Sequence, residues 1–356
     1  MLIRGMGPTT FARAYRAGQR PTPRPRHVFI AVADHFEPER DGASLERQRL
    51  RVDRWLTDYP ASVDGCCDSR GRPPQHTFFY PIECYTAEHL DKLAKLKRAG
   101  YGDVEVHLHH DDDNADSLRE LLLRSTRTLH TRHGLLHQDA SGQIRYGFIH
   151  GNWALDNSHP DGCHCGVNNE LTVLRETGCY ADFTMPAAPH AAQTRTINSI
   201  YDAIDDPQRS KSHDLGTPVT VDSERPAEGL LMIQGPLLVN HRRPWQKPRL
   251  ENGNVAGSQP LSSHRIDDWL KARVGVAGHP AWQFIKLHTH GAWEANTDQW
   301  LGPSAAAFHH GLRETSRRYG FRYYYVTARE MAALVEQARQ GRTDPDFDDL
   351  SITNQP

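Results

Sequence analysis

No run of about 18 or more apolar residues occurs in this 356-residue chain, so a membrane-spanning helix is excluded. Charge of one sign is missing too. With 42 Lys+Arg against 44 Asp+Glu the formal net charge is −2, which argues against a nucleic-acid partner held by phosphate neutralisation. Cysteine is scarce, at 6 residues, too few for a disulfide scaffold at this length. The start Met1-Leu2-Ile3-Arg4-Gly5 lacks the apolar stretch and cleavage site of a secretory signal, so cytoplasmic residence is expected. No Gly-x-Gly-x-x-Gly follows a strand signal and no Walker motif appears, which leaves nucleotide binding without support. There is no internal repeat, and nothing fixes an oligomeric state. What the chain has in quantity is histidine, 22 residues of a type that serves as metal ligand and as proton carrier near pH 7.

Residues 1–26 read as an irregular arm, because Pro21, Pro23 and Pro25 suit neither a helix interior nor a central strand. From His27 onward short β-branched apolar runs alternate with helical patterns. Strands are expected at 27–33, 76–80, 104–108, 145–150, 179–184, 230–233, 237–239, 282–288 and 321–326. Helices are expected at 44–55, 87–98, 115–131, 170–176, 266–273, 304–319 and 329–339. Strand followed by helix, repeated this often, argues an α/β fold with a parallel sheet covered by helices. No linker divides the chain, so one domain with long loops is expected over 27–340, followed by an acidic, frayed tail at 341–356. Residues 240–261, rich in Pro, Gly and Asn, read as a surface excursion.

The histidines gather where strands end. Asp34-His35 follows the first strand, and His107-Leu108-His109-His110-Asp111 closes the strand at 104–108. His150-Gly151-Asn152-Trp153 and His288-Thr289-His290 close two others. In parallel α/β folds these carboxyl ends share the side that carries the ligand site. A divalent metal such as zinc takes three protein ligands there and leaves a position for water. Asp34, His107 and Asp111 can share such an ion with His35 or His109, and His107 and His109 point to one side of an extended strand. Trp153 and Trp293 offer flat apolar faces of the kind sugars stack on, and His150, Asn152 and Asp182 are further polar candidates for holding a substrate. Cys163-His164-Cys165 with Cys179 raises a structural zinc site, although the spacing is not that of a common Cys-x-x-Cys motif.

The strand ending in Asp34-His35, the stretch Val104-Glu105-Val106-His107-Leu108-His109-His110-Asp111 and the strand Ile285-Lys286-Leu287-His288 resemble three motifs of the polysaccharide deacetylase superfamily. The resemblance spans about 27–326 and points to a divergent branch. It implies a distorted, incomplete (β/α) barrel and a metal-dependent hydrolase that removes acetyl groups from a poly- or oligosaccharide. Asp34 matches the family's base, His107 a metal ligand and His288 the catalytic histidine, with His290 as the alternative proton donor. His35 stands where the family places a metal-binding aspartate, Asp111 where it places a second ligand histidine, and His150 where it places an arginine. Two rivals remain. One is a glycoside hydrolase on the same scaffold, which needs a pair of carboxyl groups such as Asp34, Glu37, Asp111 or Asp182. The other is a non-catalytic carbohydrate-binding protein.

Overall fold

The computed structural model describes residues 2–241 and 248–350. Its helices are α1 (Pro8–Gly18), α2 (Leu45–Ser62), α3 (Ala87–Arg98), α4 (Ala115–His133), α5 (Glu170–Glu176), α6 (Ile266–Ala272), α7 (Glu294–Leu301), α8 (Pro303–Tyr319) and α9 (Ala328–Arg339). The strands are β1 (His27–His35), β2 (His76–Pro81), β3 (Gly102–Leu108), β4 (His137–Gln138), β5 (Ile144–His150), β6 (Cys179–Asp182), β7 (Ile200–Ile204), β8 (Thr217–Pro218), β9 (Gly229–Ile233), β10 (Leu238–Asn240), β11 (Arg249–Glu251), β12 (Trp282–Thr289) and β13 (Arg322–Tyr325).

The main sheet runs β12-β1-β2-β3-β5-β6-β9-β7-β8, with β13 also on β1 and β4 on β5. It is parallel from β12 to β9 and antiparallel at β7 and β8. The sheet is therefore mixed and open, in an incomplete barrel-like arrangement. Strand β1 organises it. One edge pairs with β12 along its length. The other edge pairs with β13 from His27 to Ile30 and with β2 from Ala33 to His35. The splayed neighbours bring the ends of β1, β2, β3 and β12 to one rim.

Every residue of β1 is buried, so both faces of the sheet are covered and the apolar run need not alternate with polar residues. The two faces bury different things. Val28, Ile30 and Val32 pack with Trp55 and Tyr59 of α2 and Leu90 and Leu93 of α3. Phe29, Ala31 and Ala33 point inward to Phe79, Ile149, Phe183, Ile233 and Phe284, with α9 closing the far side through Met331 and Leu334. Helix ends follow local chemistry: Asn114 and Thr327 form reciprocal caps with Ser117 and Glu330.

Three expectations need correction. The arm at 1–26 holds α1, with Pro8 in the first turn, where its missing N–H costs nothing. Ala14 and Ala17 of α1 are buried, and a Cβ on Gly18 would collide with the Val239 carbonyl of β10. The tail is not frayed up to Leu350: Phe347 lies 4.9 Å from the Tyr324 ring, and the Gln337 amide donates to the Asp346 and Asp349 carbonyls at 2.7 Å. Residues 351–356 of that tail, and 242–247 of the expected excursion, lie outside the described residues. The third is α7, a helix where only a loop was expected. Among the described residues, no helix is long and apolar enough to cross a membrane.

Candidate metal centre

Strand parity continues past the end of β1. Phe36 turns to the helix layer, where it meets Trp55 and Phe78, so His35 and Glu37 both face inward. On β3 the same rule aims His107 and His109 inward. Four side chains, of His107, His109, Arg40 and His290, converge on the Glu37 carboxylate. His107 Nε2 lies 3.2 Å and His109 Nε2 3.1 Å from Glu37 Oε1. On the other oxygen, Arg40 Nη1 donates to Glu37 Oε2 at 2.7 Å, and His290 Nδ1 lies 3.2 Å away. The His35 ring stands 5.0 Å from His107, 4.7 Å from His290 and 6.3 Å from His288.

The surroundings divide these groups by role. His107 Nδ1 donates to the Ile149 carbonyl at 2.9 Å, which fixes the ring with its Nε2 toward Glu37. The 3.2 Å contact between Nε2 and Glu37 Oε1 is one that a proton or a cation can hold. Burial holds His35 well below the usual imidazole range, helped by the charges of His290 and His107, so it is neutral at pH 7 as a ligand must be. Burial alone would raise the Glu37 carboxyl, but the imidazoles of His107, His109 and His290 hold it well below the usual carboxylate range. His35, Glu37 and His107 each offer a ligand atom within 4.8 Å of the others. His109 is different. Burial opposes its charge, yet Glu37 on Nε2 and Glu83 on Nδ1 (2.6 Å) push it up to about 10. It is an imidazolium between two carboxylates. His109 and Arg40 are each about one-third exposed, so the centre opens to the surface on this side.

Two further groups can chelate a metal. His110, His150, Cys165 and Glu170 form one, nearly all of it buried, and the half-buried His159, Cys163 and His164 form the other.

The structure thus brings together His35, His107, His109 and His290 from the sequence expectation and separates several others. Asp34 has the opposite parity to His35. Its carboxylate faces the helix layer, where Oδ1 accepts the Gly291 N–H at 2.6 Å and Oδ2 meets His76 Nε2 at 2.8 Å. Asp111 is exposed and accepts the His164 N–H at 2.6 Å, so the turn does not return it to His107. His150 also has helix-face parity and joins His110. His288 faces inward but is buried, with no hydrogen-bond partner on Nδ1, and burial and the nearby Lys286 charge keep it neutral. Asp182 lies in the interior, accepting from the Thr184 N–H and hydroxyl at 2.9 and 2.7 Å. The Trp153 ring stands 6.1 Å from both His35 and His290, while Asn152 beside it is exposed. Trp293 is exposed at the rim, its ring 5.3 Å from the Arg40 guanidinium.

Sequence reasoning placed Glu37 only among the carboxylates of the glycosidase alternative, and passed over Glu83 and Arg40. The i, i+2 spacing of His35 and Glu37 carried the signal for Glu37. Glu83 and Arg40 sit in irregular turns after β2 and β1, where no periodicity applies. No protein-family model matches the chain, and no curated protein matches it.

Proposed function

We propose that this chain is a metal-dependent hydrolase that removes acetyl groups from a poly- or oligosaccharide, on a distorted, incomplete (β/α) barrel of the polysaccharide deacetylase type. The observation that carries the reading is the gathering of His35, Glu37 and His107 at one strand-end rim, beside the proton-carrying His290 and an open side. These three residues would hold the ion. A bound divalent ion such as zinc supplies Lewis acidity for the acetyl carbonyl and for water.

The remaining work belongs to the protein's own side chains. Arg40 and protonated His109 balance the Glu37 charge and fix its orientation. His290 Nδ1 lies 3.0 Å from Arg40 Nη1, and arginine has no lone pair to offer. Nδ1 thus faces both Arg40 and Glu37 Oε2, which leaves Nε2 as the nitrogen that would pass a proton to the leaving nitrogen or oxygen of the sugar. Trp153 and Trp293 flank the opening and suit the apolar face of a pyranose ring. Asp34, turned to the helix layer, serves by holding the Gly291 turn that positions His290.

One observation favours glycosidic hydrolysis as a second reading. Burial and the neighbouring Glu37 and Glu83 charges push the Glu39 carboxyl up to about 7, while Glu37 is held low. Two carboxyl groups pushed apart in this way make an acid and a base.

Acetate release from N- and O-acetylated oligosaccharides tests both. Deacetylation requires acetate release that chelator abolishes, added zinc restores and His107→Ala lacks. Acetate release indifferent to chelator and to His107→Ala overturns the proposal, and new reducing ends in place of acetate establish the second reading.

A further inference from the structure

On the opposite face of the sheet, between the ends of β3 and β5 and the start of α5, lies a second set of donors. We infer that His110, His150, Cys165 and Glu170 form a closed, structural site for a zinc-class divalent cation. This site shares no residue with the Glu37 centre.

The geometry is that of a ligand shell. His110 Nε2 and His150 Nε2 are 2.9 Å apart, and Glu170 Oε1 lies 3.1 and 3.5 Å from them. Cys165 Sγ lies 3.4 Å from Glu170 Oε2. Ligand atoms 2.0–2.3 Å from a tetrahedral ion are separated by roughly 3.3–3.8 Å, so a small tightening or opening of these contacts accommodates one ion.

The hydrogen bonds around the set leave a His150 lone pair pointing inward. His150 Nδ1 donates to the Gly151 carbonyl at 2.6 Å, which commits its Nε2 to the acceptor role. Asp113 Oδ2 lies 3.2 Å from His110 Nδ1, within ion-pair distance, although that nitrogen makes no hydrogen bond. The Nε2 atoms of both imidazoles and Glu170 Oε1 thus meet at one place, which a shared proton or a cation can hold together. Cys165 Sγ accepts two backbone N–H groups, from Asn157 at 3.3 Å and Val167 at 3.4 Å, and its S–H donates to Glu170 Oε2 at 3.4 Å. A cation bound here would take the place of the thiol proton and hold the sulfur as thiolate.

Enclosure separates this site from the Glu37 centre. The side chains of His150 and Glu170 are fully buried and that of His110 is 6% exposed, which leaves no open position for substrate. The segment it would fasten is costly in itself. Between β5 and α5, Asn152, Trp153, Asp156, Asn157 and His164 all have φ between 52° and 69°, the left-handed region that non-glycine residues seldom adopt. A cation held by β3, β5, the loop and α5 offsets that strain and sets Trp153 over the Glu37 centre.

Cobalt(II) is the probe, because thiolate ligation gives a sulfur-to-cobalt charge-transfer band in the near ultraviolet. The full chain is loaded with cobalt(II) and its spectrum recorded with the metal content. The expected result is a thiolate band at one equivalent of sulfur-ligated cobalt per chain. That band persists in Cys163→Ser and in His107→Ala, which alters the Glu37 centre alone, and is lost in Cys165→Ser. Absence of the band in the cobalt-loaded wild type overturns the site, leaving a proton shared between His110 and Glu170. Loss of the band in Cys163→Ser moves the site to the half-buried His159 group and equally overturns it. These two results decide the matter even if Cys165→Ser does not fold.

Discussion

Replacing Asp34 separates a chemical role for this residue from an architectural one. The side chains of Asp34 and His76 are both fully buried. The carboxylate accepts from Gly291 N–H at 2.6 Å and His76 Nε2 at 2.8 Å. Gly291 is held on its other side by the Trp55 indole N–H at 2.9 Å and the Thr297 hydroxyl at 2.6 Å, both donating to its carbonyl. Asp34→Ala removes two charge-assisted hydrogen bonds worth about 1.5–3 kcal/mol each and strands both donors, a loss of about 3–6 kcal/mol. Asp34→Asn behaves otherwise. Its amide oxygen still accepts from Gly291, and its amide N–H can face His76 Nε2 once the proton moves to Nδ1, which has no partner to lose. That exchange costs about 1 kcal/mol. Urea unfolding followed by circular dichroism gives the stabilities, and acetate release gives the activity. The expected pattern is a severely destabilised Ala variant and an Asn variant that keeps most of its activity. A carboxamide cannot act as a base, so an Asn variant with wild-type stability, wild-type metal content and no hydrolysis would refute the architectural assignment.

His290→Gln is expected to retain the metal and lower kcat by about 10²–10⁴-fold, the usual worth of a positioned proton carrier. Unchanged kcat at full metal occupancy removes His290 from the reaction. Glu251, on β11, accepts from Arg265 at 2.9 and 2.7 Å and from the Trp269 indole at 3.1 Å. Burial works to raise this carboxyl, but Arg265 and Trp269 hold it below its usual value. The folded state therefore binds this proton less tightly than the unfolded chain, so the pair stabilises fully above the unfolded value of about 4.3 and fades as pH falls through the folded one. Glu251→Gln should cost about 3–5 kcal/mol at pH 7, because it leaves Arg265 buried and unpaired, and the difference from wild type should shrink in acid. A difference that does not change between pH 7 and pH 3 in urea titrations contradicts this.

Most of the alternation was legible because its units are long and periodic. The sequence expectation for 87–98 coincides with α3, and that for 104–108 lies inside β3. The errors fall where local signals conflict. Prolines 21, 23 and 25 were read back onto residues 8–18, although Pro8 opens a helix rather than breaking one. The acidic run after Asp344 conceals Phe347, whose ring fills a place against Tyr324 that no neighbouring residue predicts. Strand β7 pairs antiparallel with β9, a non-local contact that periodicity in one strand does not report.

The site was harder to read because the sequence gives the end of a strand more readily than its face. Asp34, His107, His150 and His288 do sit at one rim, but parity divides them. His107 and His288 follow Glu105, Phe284 and Lys286 inward, while Asp34 follows Val32, and His150 follows Phe148, toward the helices. The run His107-Leu108-His109-His110 shows what this does. Regular β3 ends at Leu108, and the alternation persists just long enough for adjacent histidines to serve different faces. His107 and His109 reach Glu37, while His110 reaches His150 and Glu170. A four-residue search for a single metal site therefore pairs His107 with Asp111, which the structure holds apart on the His164 N–H, and groups Cys165 with Cys163 and Cys179 rather than with partners on β3, on β5 and at the start of α5. Strand parity applied one residue past each strand end would have separated the two clusters and drawn Glu37 into the first.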